Sequence, residues 1–199
     1  NHLATNALAM VKWGKFTGED KYLDKSETWL KKIKDNMSNE GWFSEYGMPD
    51  PGYQSWANSA LVQISLIDDG FNLHQMLENS FNFLAHFVMP DGSFSNGVGG
   101  RLTRFIFPAG HELMAERIES ANDLSVFTRK YVNLSTFINL DTVDQTNLVP
   151  FFNDYAIAAA AMTKNMNLGY IRTSATKDKW NFEDAGIIGL SDKSKKMLV

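Results

Sequence analysis

Apolar positions along the chain recur with a helical period, broken by turns at regular intervals. Leu3, Ala7, Leu8, Met10 and Val11 fall on one helical face, and Gly14 with Thr17-Gly18 closes that stretch. Tyr22, Ser26, Trp29, Leu30, Ile33 and Met37 form a second amphipathic stripe. From Tyr53 onward, Trp56, Ala57, Ala60, Leu61, Ile64 and Ile67 predict a third helix, stopped by Asp68-Asp69-Gly70. Leu73, Met76, Leu77, Phe81, Leu84, Phe87 and Val88 predict a fourth, ended by Pro90 and Gly92. A fifth helix is expected near His111 to Ile118, and a sixth over Phe151 to Met162, where the run of alanines has high helix propensity. Residues 119–150 carry little pattern. Near the end, Gly186-Ile187-Ile188-Gly189-Leu190, a charged turn at Ser191-Asp192-Lys193 and Lys196-Met197-Leu198-Val199 read as a strand, a turn and the start of another strand.

Two of the turns end alike. Asn39-Glu40-Gly41-Trp42-Phe43-Ser44 and Pro90-Asp91-Gly92-Ser93-Phe94-Ser95 lie fifty-one residues apart, each after a pair of helical stretches. A helical-hairpin repeat with a period near ~50 residues points to a solenoid or a closed toroid. The expected fold class is therefore mainly all-α: part of an α/α toroid over residues 1–175, then a short β segment over 176–199. That segment would open a β-sandwich or form a linker, so the chain reads as a piece of something longer.

Composition narrows the function more by exclusion than by assignment. With 199 residues and 44% hydrophobic content the chain can fill a sizeable core, and its 13% aromatic share supplies rings for packing or for lining a groove. A formal charge of −4, from 19 basic and 23 acidic residues without long blocks of either sign, gives no footprint for nucleic acid. Lys31, Lys32 and Lys34 form the densest basic run before the tail, but they alternate with Trp29, Leu30 and Ile33 and read as a solvated helix face. The absence of cysteine removes disulfides, thiolate nucleophiles and Cys-ligated zinc. No apolar run approaches the ~20 residues of a membrane span, and no signal peptide is visible.

The loop from Glu45 to Trp56 concentrates functional groups: Glu45, Tyr46, Asp50, Tyr53, Gln54 and Trp56, close to Trp42. A plain turn also uses aspartate and proline, and aromatic rings can plug hairpin ends. A turn alone, however, does not need two carboxylates, two phenols, an amide and an indole. If the loops of one end share a cleft, Arg101 and His111 would join this set, Arg101 as a guanidinium suited to gripping a carboxylate. His111-Glu112 lacks the second histidine of a zinc helix, and no phosphate or dinucleotide fingerprint occurs, so neither metal nor cofactor is expected. Asn1-His2 opens the chain at a helix entrance, where capping is the bland use. His74 and His86 are given no role.

Taken in order, several segments resemble the heparinase II/III-like proteins and related alginate-lyase-like toroids. They are Asn1-His2, Gly41-Trp42-Phe43-Ser44-Glu45-Tyr46 with Asp50-Pro51-Gly52-Tyr53-Gln54, Pro90-Asp91-Gly92-Ser93-Phe94, Gly100-Arg101, and Phe107-Pro108-Ala109-Gly110-His111-Glu112. The likeness covers roughly residues 1 to 118, and Phe182-Glu183-Asp184-Ala185-Gly186-Ile187-Ile188 looks like the entrance to that family's β-sandwich. The resemblance implies cleavage of an acidic, uronate-containing polysaccharide or oligosaccharide by β-elimination, in a bacterial protein of periplasm or cytoplasm. It gives Asn1 the role of neutralising the substrate carboxylate, His2 that of base, and Tyr53 that of proton donor or base. Such lyases draw further groups from the β-sandwich, of which this chain holds only the start.

Two other functions fit the same residues. Glu45 and Asp50 on one loop suit a glycoside hydrolase with paired acids, provided both face a common cleft. Trp42, Tyr46, Tyr53 and Trp56 suit a non-catalytic carbohydrate-binding or assembly module, where the rings serve as stacking platforms.

Overall fold

A computed structural model describes residues 1–95, 97–134, 136–162, 178–191 and 196–198. Among them are seven α-helices and a three-stranded sheet. The helices are α1 (His2–Thr17), α2 (Asp20–Asp35), α3 (Pro51–Ile67), α4 (His74–Leu84), α5 (Ala109–Met114), α6 (Glu119–Tyr131) and α7 (Leu148–Met162). The strands are β1 (Asp178–Phe182), β2 (Ile187–Ser191) and β3 (Lys196–Leu198), antiparallel in the order β1-β2-β3. The expected boundary at 175/176 lies outside the described residues, as do Asp192, Lys193 and Val199 of the expected turn and strand.

Local chemistry sets the helix ends. Gly18 takes a left-handed conformation (φ 73°) and its N–H donates to Gly14 O, closing α1. Asp50 caps α3 through the Tyr53 N–H, with Pro51 in the first turn, where a missing N–H costs nothing. Small residues set the spacing between helices. A Cβ on Gly14 would come within 2.9 Å of Leu23, and one on Gly110 within 2.9 Å of the Ser59 nitrogen, so α1 meets α2, and α5 meets α3, at close range. Ser26 Oγ, fully buried, ties α2 to α1 by donating to Ala7 O.

The odd-numbered helices pack in succession, α1 on α3, α3 on α5 and α5 on α7. The even-numbered ones pair with them, α2 with α1, α4 with α3 and α6 with α5, and α4 also meets α6. Helix α3, surrounded by α1, α4 and α5, is buried on most of its faces. Phe81, Phe83, Phe87, Phe94, Leu61, Ile64 and Leu77 form the centre of the core.

The sequence repeat is a backbone repeat. Met37 bridges Phe43 as Val88 bridges Phe94; Ser38 N donates to Trp42 O as Met89 N does to Ser93 O; Gly41 N donates to Ser38 O as Gly92 N does to Met89 O. Both glycines have positive φ, 92° and 84°. Each turn rests on the even-numbered helix of the following hairpin, Gly41 against Asn79 of α4 and Gly92 against Tyr131 of α6.

The chain departs from the expected elements in two places. The weakly patterned stretch holds α6, whose core-facing side includes Ser120, Ser125 and Thr128 beside Ala121, Leu124 and Phe127, which dilutes the apolar stripe. A strand not expected from the sequence, β1, pairs with β2, and the Trp180 indole lies over Gly189, its cross-strand partner. The β1–β2 turn docks on the first repeat turn: Glu40 accepts from Asp184 N and Ala185 N, and Phe182 packs on Phe83 at 4.8 Å. No helix among the described residues is long and apolar enough to cross a membrane.

Candidate active site

The loop leading into α3 is a tight hairpin followed by a helix cap. Glu45 N donates to Met48 O, and the two residues between, Tyr46 (φ 56°) and Gly47 (φ 88°), both take positive φ, as in a type I′ turn. The turn pushes the Tyr46 ring into solvent, 71% exposed. Against it lies the segment before α5. Gly99 and Gly100 approach so closely that a Cβ on either would sit 2.9 Å from Asp50 or from Glu45 O. Arg101 N donates to Asp50 Oδ2 at 3.0 Å, Thr103 Oγ1 donates to Asp50 Oδ1, and the Arg101 guanidinium lies 5.0 Å over the Tyr46 ring.

Behind these loops runs a row of rings. Tyr53 stacks on Trp56 (6.4 Å, 26°) and meets Phe105 edge-on at 5.4 Å, while Trp56 stacks on Phe107 at 4.8 Å and 4°. His2 reaches the same indole from α1, edge to face at 6.4 Å. His2 is exposed, and Tyr53 and Trp56 are half-buried. Burial raises the Tyr53 pKa above the ordinary tyrosine value; Arg101 pulls it down, and Asp50, Glu45 and Tyr46 push it further up. At neutral pH Tyr53 is a phenol with a proton to give.

Asn1 stands beside His2 as the N-cap of α1. Its Oδ1 accepts from His2 N at 2.8 Å, and its backbone nitrogen donates to Glu45 Oε2 at 3.1 Å. The side chain is 2% exposed, and Nδ2 has no hydrogen-bond partner among the described residues. A buried donor left unpaired costs about 1–3 kcal/mol, so it marks a place where an acceptor would be gained. Asn1, His2, Phe43, Ser44 and Glu45 line a cleft of about 320 Å³.

Asn1, His2, Glu45, Tyr46, Tyr53, Trp56 and Arg101 are thus joined by contacts or mutual electrostatic influence. Four other expected residues have structural work instead. Asp50 is 1% exposed, and its carboxylate is occupied by the Tyr53 and Arg101 N–H groups and the Thr103 hydroxyl. Gln54, 2% exposed, donates from Nε2 to Gly41 O and Ser80 and accepts from Phe43 N, so both its donors are used within the protein and burial keeps it from the surface. His111 is 1% exposed and pairs with Thr128 Oγ1; burial, and then the Arg129 charge, push its pKa down to about 3. It is a neutral core histidine, next to the Glu112–Arg129 ion pair that ties α5 to α6. Trp42 donates from Nε1 to Glu40, the carboxylate that also holds the β1–β2 turn, and so belongs to that junction.

Sequence reasoning missed Thr103, which fixes Asp50, and the Phe105–Phe107 floor. The β-branched and aromatic run Phe105-Ile106-Phe107 directly after Thr103-Arg104 was the available signal. Among the described residues no group of three or more His, Cys, Asp or Glu is arranged to hold a metal ion. No family model, curated protein or solved structure matches the chain.

Proposed function

We propose that this cleft and the adjoining Tyr53, Trp56 and Arg101 together form the working centre of a polysaccharide lyase-like domain that cleaves acidic, uronate-containing chains by β-elimination. The observation that carries the reading is the shared indole: His2 and Tyr53, from different helices, both pack on Trp56, with Asn1 Nδ2, unpartnered among the described residues, next to His2 in the chain. The succession of odd-numbered helices with even-numbered partners supports an α/α-toroid architecture around it.

The division of labour follows from chemistry. The proton on the carbon next to a uronate carboxylate is too weakly acidic for an unassisted base, so the carboxylate must be neutralised and the enolate-like intermediate stabilised. The Asn1 Nδ2 donor and the Arg101 guanidinium serve that purpose. The exposed His2 imidazole takes the C5 proton, and the released electron pair delocalises into the neutralised carboxylate as the enolate-like intermediate. That pair then forms the C4–C5 double bond as the C4–O bond breaks, and the departing oxygen takes the proton of Tyr53, the group that burial keeps protonated. Proton return from solvent to Tyr53 and loss of the proton from His2 reset the site.

Paired-acid hydrolysis is the weaker reading, because the Asp50 carboxylate is buried and filled by three protein donors, leaving Glu45 alone on the loop. The deciding experiment incubates the protein with a panel of uronate polymers and follows the ultraviolet absorbance of unsaturated products. Tyr53→Phe should lower kcat by about 10²–10⁴-fold. Absence of such products across the panel, with sugar binding intact, would leave a binding module and end the lyase reading.

A further inference from the structure

One wall of the cleft is made by α2. Lys32 and Asn36, one helical turn apart, line the same space of about 320 Å³ as Asn1, His2, Ser44 and Glu45, together with the apolar Ile33 and Phe43. The three lysines of this run have different surroundings. Lys31 pairs with Asp35 at 2.8 Å, and Lys34 donates to Phe71 O at 2.9 Å. The Lys32 ammonium has no hydrogen-bond or ion-pair partner among the described residues, although it borders a cleft that also contains the Glu45 carboxylate. Glu45 is held by the Asn1 nitrogen instead. Arg101 does not line this space; its guanidinium lies over the Tyr46 ring.

We infer that the cleft between α1 and α2 is a sugar subsite whose specificity for an acidic residue is set by Lys32. The inference rests on the saccharide reading given above, but not on turnover. An ammonium with free donors, a serine hydroxyl and apolar neighbours in one cleft together match a pyranose ring carrying an anionic substituent. A polymer that carries an acid group on the sugar seated in this cleft is therefore the substrate class.

Binding decides this independently of catalysis. Tetrasaccharides from alginate, polygalacturonate, hyaluronate and heparan sulfate, with cellotetraose as the neutral control, are titrated calorimetrically against the protein, Lys32→Gln and Lys32→Arg. At least one acidic tetrasaccharide should bind the parent protein, lose tenfold or more in affinity to Lys32→Gln, and recover most of it with Lys32→Arg. Its preference over cellotetraose should shrink in Lys32→Gln, and the salt dependence of binding should weaken. Equal affinity of the parent and Lys32→Gln for every acidic tetrasaccharide would overturn the inference while leaving the lyase reading open. Failure of all four to bind would overturn it as well. Binding that depends on Lys32 without unsaturated products would sustain it and remove the lyase reading.

Discussion

The turns at residues 37–43 and 88–94 share a backbone but are held in place differently. Behind Gly41 stands main chain: a Cβ there would come within 2.3 Å of Asn79 O, and the Gly41 carbonyl is received by the buried Gln54 amide. Behind Gly92 stands one aromatic side chain, Tyr131, whose ring would meet an added Cβ at 2.3 Å and whose hydroxyl donates to Pro90 O. The exits differ as well. The first turn leads through a short loop into α3, which carries its own cap, Asp50; the second leads through a longer glycine-rich segment into α5, whose own cap position, Pro108, has no side-chain acceptor to offer. There Asp154 of α7 supplies the acceptor for Ala109 N. The exit of the first turn therefore carries Tyr53 and Trp56 of the candidate site, and the longer exit of the second brings Arg101 and Thr103 across to Asp50 beside them.

If that contrast is sound, Gly41→Ala is the most damaging change. The left-handed backbone costs a non-glycine residue roughly 1–2 kcal/mol, and the clash with immovable main chain adds about 1–3 kcal/mol. A loss near the upper end of that sum is expected in denaturant unfolding, read as a shift in midpoint at constant slope. A loss below about 1 kcal/mol would show that the α4 wall yields and that the two turns are alike after all.

Gln54→Ala comes next. It strips partners from Gly41 O and Phe43 N at once, and an unpaired buried backbone group costs about 1–3 kcal/mol. We expect about 2–3 kcal/mol in the same unfolding measurement. Addition of acidic oligosaccharide should not alter the difference between variant and parent, since Gln54 does not reach the cleft. A ligand-dependent difference would return Gln54 to the site.

Gly92→Ala should cost less, about 2 kcal/mol, because the Tyr131 ring can swing away. A double-mutant cycle sharpens the point. In a Tyr131→Ala background the same change should fall to the backbone cost alone, with a coupling of about 0.5–1 kcal/mol. Zero coupling would mean that Tyr131 is not what the second turn leans on.

The sequence made the first four helices and the paired turns legible because each depends on contacts close along the chain: an apolar stripe, a stop signal, a glycine forced to positive φ. It also made Tyr53, Trp56 and Arg101 conspicuous by residue type. What stayed hidden depends on distant partners. Gln54 looks like a ligand-binding amide until Ser80 and Gly41 close on it, and His111 looks reactive until Thr128 meets it in the core. Helix α6 hides because small polar residues share its buried face. Lys32 was read with its neighbours as a solvated face, and only the positions of Asn1, Ser44 and Glu45 across the cleft set it apart.

The borrowed cap of α5 gives the smallest predicted effect. Asp154 is 4% exposed and accepts from Ser59 Oγ and Ala109 N, yet burial outweighs both donors and raises its pKa from 3.8 to about 6. The folded protein therefore holds a proton that the unfolded chain has released between those two values. Stability from this group is complete below the unfolded value and is lost as pH rises through about 6. Going from pH 5 to pH 7 should cost about 1 kcal/mol through Asp154 alone. Asp154→Asn keeps a carbonyl acceptor for Ala109 N and removes the titration, so parent and variant should differ in the slope of stability against pH across that interval. Identical slopes would place the Asp154 titration outside the interval and leave α5 capped by an ordinary carboxylate. In that case the two odd-numbered helices would be capped with equal security, and the contrast between the repeats would reduce to their glycines.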